Sequence, residues 1–144
     1  WSTHYPADMN TLDALSIWIA ELFRRRLDHC KDWPQQRLLD WVKWFVVKDR
    51  YLVSVREGKL VGATVLRYVN NEEECRADYC DTGGKICYVD AAVATEPGVM
   101  KDLYTQMWER FGKDCNLIAW VRPKHANRIV VVPMDKARRR LIKE

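Results

Sequence analysis

Three histidines, His4, His29 and His125, supply the side chains whose ordinary pKa lies near neutrality, so a proton-transfer role falls first to one of them. His29 sits between Asp28 and Cys30 just after a run of arginines, a position that suits a base and equally a residue that finishes a helix. His4 belongs to an N-terminal arm and His125 to a basic turn, which makes both weaker candidates. Asp90 is the second informative residue. It interrupts Ile86 to Thr95, an otherwise apolar run, and a carboxylate buried there is costly unless an arginine pairs with it or chemistry uses it.

The five cysteines (Cys30, Cys75, Cys80, Cys87 and Cys115) form neither an even disulfide framework nor a zinc knuckle. Reduced thiols in a cytoplasmic setting are expected, with no metal site. Charge is uneven. Residues 122–144 hold eight Lys/Arg against Asp135 and Glu144, so this segment carries the chain's positive excess. A basic end of this kind attracts an acidic partner, whether nucleic acid or an acidic protein, or is simply solvated.

At 144 residues the chain fits one domain, 1–144, able to bury a core without staples. No apolar run approaches the roughly 20 residues that cross a bilayer, and Trp1 to Asn10 does not read as a secretory leader.

The elements that must position these residues follow from periodicity. Asn10 caps a helix whose face is Leu12, Leu15, Ile19, Leu22 and Phe23, ending at Arg24-Arg25-Arg26. Pro34 opens a second helix with Leu38, Trp41, Val42 and Phe45 on one side. Tyr51 to Arg56 and Lys59 to Tyr68 predict a hairpin around Glu57-Gly58, and Asn70 to Lys85 a long connection. Ile86 to Thr95 predicts a central strand covered on both faces. A helix from Pro97 to Gly112 follows, with Met100, Leu103, Met107, Trp108 and Phe111 on one side. Strands at Asn116 to Val121 and Arg128 to Val132 and a basic helix or tail at Asp135 to Ile142 complete the chain. The class is α+β, a mixed sheet flanked by helices in the order α-α-β-β-β-α-β-β.

That order resembles the GNAT superfamily of N-acyltransferases. Acetyl-CoA enzymes of that superfamily grip the coenzyme's diphosphate with a glycine-rich loop ahead of a helix. The matching stretch here, Thr95-Glu96-Pro97-Gly98-Val99-Met100-Lys101, has one glycine and an acidic residue. The chain looks closest to the toxin-activating (RTX toxin) lysine acyltransferases, which take a fatty acyl group from acyl-carrier protein. His29-Cys30-Lys31-Asp32-Trp33-Pro34 looks like that family's histidine followed by a Trp-Pro pair. Tyr51-Leu52-Val53-Ser54 to Val61-Gly62, Tyr88-Val89-Asp90-Ala91, Leu103-Tyr104 through Arg110-Phe111, and Val121-Arg122-Pro123-Lys124 continue the match in order. A serine that assists near the family's histidine has no counterpart, Arg26 falling about there.

The resemblance implies a protein-lysine acyltransferase, with His29 as base and Asp90 as the carboxylate that orients it or supports its charge. It implies backbone N–H groups of Val93, Ala94 and Thr95 for the thioester oxygen. Arg122, Lys124, Arg128 and the Arg138-Arg139-Arg140 run would meet an acidic acyl-carrier protein. No tightly bound cofactor is expected; the donor is an acyl-carrier-protein thioester, with acyl-CoA as the alternative. The partners are that carrier, a lysine-bearing target such as a protoxin, and a second copy of the chain if some of the seven tryptophans form a dimer face. Rival readings are a CoA-dependent N-acetyltransferase, an inactive GNAT-like interaction or virion protein, and, last, a nucleic-acid binder without a recognition motif.

Overall fold

The computed structural model describes residues 11–122 and 127–141. Asn10, His4, Lys124, His125 and Lys143 lie outside them. Helix α1 (Thr11–Arg26) buries Leu15, Trp18, Ile19, Leu22 and Phe23, the face its spacing dictates, while Leu12 in the first turn stays 43% exposed. Helix α2 (Gln35–Val47) buries Leu38, Val42, Phe45 and Val46 against it. The hairpin is β1 (Tyr51–Arg56) and β2 (Lys59–Val69). Its turn residues Glu57 and Gly58 both have positive φ, the twist that a two-residue hairpin prefers.

Beyond β2 come α3 (Glu72–Arg76), β3 (Ile86–Ala94), α4 (Val99–Phe111), β4 (Leu117–Arg122), β5 (Arg128–Pro133) and α5 (Met134–Leu141). The five strands form one sheet in chain order; β3 and β4 run parallel and every other pair is antiparallel. Helices α1 and α2 cover one face, with Leu60, Ala63, Val65, Ala91 and Val93 beneath them. Helices α4 and α5 cover the other, packing on Val61, Leu66, Cys87, Val89 and Ile118. Gly62 lets α4 come close, since a Cβ there would run into Val99 Cγ1.

The connection at 70–85 is more structured than expected. The Asn71 side chain accepts a hydrogen bond from the Glu74 N–H at 2.9 Å, and Glu72, Glu73 and Glu74 favour the positive end of the short helix α3.

Two irregularities in β3 coincide. Val65 pairs with Ala91 and Leu66 with Val89, so Asp90 is one extra residue in the ladder, a β-bulge. The faces exchange there: Val89 packs on the α4 side, whereas Ala91 and Val93 pack on the α1 side. Pairing with β4 covers only Ile86 to Tyr88, so beyond Tyr88 the two parallel strands part.

Arg67 holds this region together. Its Nε and Nη2 donate to the two carboxylate oxygens of Asp90 at 2.9 and 3.0 Å. Its other N–H groups reach the carbonyls of Glu74, Cys75, Ala77 and Cys80. The side chain is 4% exposed, that of Asp90 13%. Burial pushes the Asp90 carboxyl up to about 6, against the downward pull of the guanidinium.

Arg67→Met strands a buried carboxylate and several carbonyls, and should destabilise the protein by about 3–5 kcal/mol at pH 8 in urea titrations. Without the guanidinium the folded-state pKa of Asp90 rises further, so the variant binds that proton more tightly than wild type. Its deficit should therefore narrow as the pH falls from 8 to 5. Gly62→Val pushes α4 away from β2 and should cost about 1–3 kcal/mol in the same assay.

Candidate active site

His29 lies in a 3-10 turn, Asp28–Cys30, directly after α1. Three contacts fix the turn. Cys30 is fully buried beneath it, and burial raises its thiol to about 11, so this sulfur is an anchor and no nucleophile. Arg24 donates to the carbonyls of Lys31 and Trp33 at 2.9 and 2.6 Å, closing the chain behind the histidine. The Trp33 ring meets the imidazole edge-on, with centroids 6.0 Å apart, and carries the Arg37 guanidinium 4.2 Å from its centroid. The imidazole itself is exposed.

His29 and Asp90, 61 residues apart in sequence, line one cavity of about 810 Å³. It lies in the gap where β3 leaves β4, with Tyr88, Met100, Tyr104 and Trp120 among its walls. Asp90 lines this space, whereas Arg67, almost without exposure, does not. Both carboxylate oxygens are held by Arg67, and among the described residues no hydrogen bond joins Asp90 to His29. Among the described residues Asp90 therefore does not orient the His29 ring by a direct hydrogen bond.

The other expected residues fall in different places. Val93, Ala94 and Thr95 lie just beyond the stretch of β3 that lines the cavity, Tyr88 to Ala92. The Thr95 N–H is donated to the Val61 carbonyl at 2.9 Å. Ladder alternation then turns the Val93 N–H toward β2 and those of Ala94 and Ala92 toward the gap. Arg122 and Arg128 line a separate hollow of about 300 Å³. In α5, Arg138 stacks over Trp108 at 4.9 Å and Arg139 pairs with Asp135 at 3.6 Å.

Sequence reasoning missed Arg67, because an arginine in an apolar strand gives no sign of its partner. It also left Tyr88, Tyr104 and Trp120 unassigned. Burial raises the hydroxyl pKa of Tyr88 to about 12 and also raises that of Tyr104, so both remain neutral donors at the cavity wall. The N-terminus of α4 holds Arg56, which bonds Glu96 at 3.4 Å, the Pro97 carbonyl at 3.2 Å and Asp102 at 3.1 Å. Among the described residues no group of three or more His, Cys, Asp or Glu is placed to hold a metal ion, and no helix is long and apolar enough to cross a membrane.

No family model matches the chain, and the search of curated proteins returns no match. Among solved structures the chain is similar to the loading GNATL domain of CurA from Lyngbya majuscula. The identity is 13% and the TM-score 0.56, over 76% of this chain and 60% of that one, so it spans less than two thirds of that domain. An N-acetyltransferase from Staphylococcus aureus Mu50 aligns at 16% identity and a TM-score of 0.47, over 77% of this chain and 79% of that one. At these identities the likeness is one of architecture: a five-stranded mixed sheet flanked by helices, parted between its central parallel strands, is a GNAT-like fold.

Proposed function

We propose that the chain is a protein-lysine N-acyltransferase that moves a fatty acyl group from acyl-carrier protein to a target lysine. The observation that carries this reading is the shared cavity: His29 and Asp90 face one space in the strand gap of a GNAT-like sheet. In the reaction, the lone pair of a lysine Nζ attacks the thioester carbonyl and His29 removes the ammonium proton. Charge growing on the carbonyl oxygen is met by the backbone N–H of Ala92, which turns from β2 toward the gap. Collapse breaks the C–S bond, and the departing pantetheine thiolate takes a proton. The Asp90 carboxylate stabilises the imidazolium formed in between.

Acyl-carrier protein is favoured over CoA by the start of α4. Arg56, Glu96 and Asp102 satisfy one another there, and the two carboxylates oppose a diphosphate at that helix end. The exposed cations of α5, Lys136, Arg138 and Arg139, suit an acidic carrier. An inactive module is the second reading, favoured by the full commitment of Asp90 to Arg67.

Transfer of a labelled acyl group from acyl-carrier protein to a lysine peptide should fall by about 100-fold or more in His29→Ala. Asp90→Asn keeps one acceptor for Arg67 and removes the charge, so it should lose turnover and some stability together, with circular dichroism checking that the assayed protein is folded. Transfer from acyl-CoA alone would favour the CoA reading. No transfer from either donor by the folded wild type would leave the inactive module.

A further inference from the structure

Arg122 and Arg128 are directly opposed in the β4–β5 ladder. Residues so paired share a face with Cβ atoms about 5 Å apart, and like charges in that position destabilise a sheet. Neither guanidinium has an ion-pair or hydrogen-bond partner among the described residues. Arg122 stands 6.0 Å from the centroid of the Trp120 ring. Both side chains are exposed and line the hollow of about 300 Å³ together with Ile129, Val130 and Val131. Trp120, two residues before Arg122 and on the same face of the sheet, also lines the cavity that holds His29 and Asp90. Two residues of strand span roughly 7 Å. The paired cations therefore stand at the rim of that cavity, at the ends of β4 and β5.

We infer that Arg122 and Arg128 form an anion site for a phosphate ester, the phosphate of the donor's pantetheine arm. Two guanidinium forks on one face offer parallel N–H pairs to the oxygens of a single phosphate, a geometry that lysine does not provide. The bound dianion or monoanion removes the repulsion across the ladder, so the protein gains stability when the site is filled. The identity of the ligand rests on the proposed acyl transfer; the anion site does not.

The test is thermal melting of the full chain with inorganic phosphate, pantetheine 4′-phosphate and unphosphorylated pantetheine, in wild type, Arg122→Gln/Arg128→Gln and the charge-matched control Lys59→Gln/Lys113→Gln. The melting midpoint of wild type and control should rise with the two phosphates and not with pantetheine. The arginine double variant should lose at least tenfold in affinity, and its midpoint without ligand should equal or exceed that of wild type because the repulsion is gone. No phosphate-dependent rise in wild type, or an equal rise in the arginine variant, overturns the anion site. Acyl transfer by that variant with an unchanged KM for the donor overturns the assignment to the donor's phosphate. Phosphate binding lost in the variant, in a protein that transfers no acyl group, upholds the site and sinks the acyltransferase reading instead. Tighter binding of CoA or of the phosphopantetheinylated carrier protein upholds the site and identifies which donor brings the phosphate.

Discussion

The buried pairing of Arg67 with Asp90 is the constraint on which the rest of the architecture depends. Two ions withdrawn from water each carry a penalty of several kcal/mol, tolerable only where every donor and oxygen is met. Arg67 meets that condition by drawing on two sources at once, the carboxylate of β3 and the carbonyls of the segment from Glu74 to Cys80. The segment must then fold back over the sheet, and a short helix capped by Asn71 is how it does so. Arg67 also stands 5.1 Å from the Tyr88 ring, so the cation meets the strand both at the bulge and just before it.

The bulge converts this packing demand into a cavity. One extra residue at Asp90 coils the strand more tightly. The ladder to β4 ends at Tyr88, just before it, while β3 stays bonded to β2 and β4 to β5. The sheet opens between its two parallel strands without losing either half. Among the described residues no strand pairs with the β3 edge there, and an extended ligand with amides of its own can do so. Under the proposed reading, the ion pair that fixes the strand also aims a carboxylate at the reacting centre. Structure and chemistry then draw on one residue, so a substitution at Asp90 disturbs both, and a substitution at His29, on an exposed turn, disturbs the chemistry alone.

The helices and the hairpin were legible because their apolar positions repeat with a clear period. Such a pattern loses its meaning only at its ends: Leu12 fits the α1 stripe yet lies in the first turn and stays exposed, and burial of the stripe begins at Ala14 and Leu15. The β3 bulge was not legible. In Ile86-Cys87-Tyr88-Val89-Asp90-Ala91-Ala92-Val93-Ala94 nearly every residue is apolar, so an exchange of faces leaves no mark on the pattern. The α3 helix was hidden in a polar stretch because its reason for folding is Arg67, a residue on another element. Asp90 could be singled out as costly to bury, and an arginine partner could be named as one resolution; which arginine required the fold. The juxtaposition of His29 and Asp90 came from resemblance, since no spacing argument joins residues so far apart.

The distribution of charge bears on where a phosphate can dock. At the start of α4, Arg56 neutralises Glu96 and Asp102, and those carboxylates already answer the partial positive charge of the helix end. An incoming diphosphate would have to displace arginine from two acids and then sit beside both. At the ends of β4 and β5 the balance is reversed: two arginines face each other with no acid paired to either among the described residues. Exposed ion pairs are worth little, so Arg56 adds only modestly to stability. Its larger effect is to occupy the site that a glycine-rich loop would keep open. On the proposed reading, Arg122 and Arg128 offer a cation pair beside the strand gap, and a donor whose arm carries a single phosphate is the ligand proposed for it.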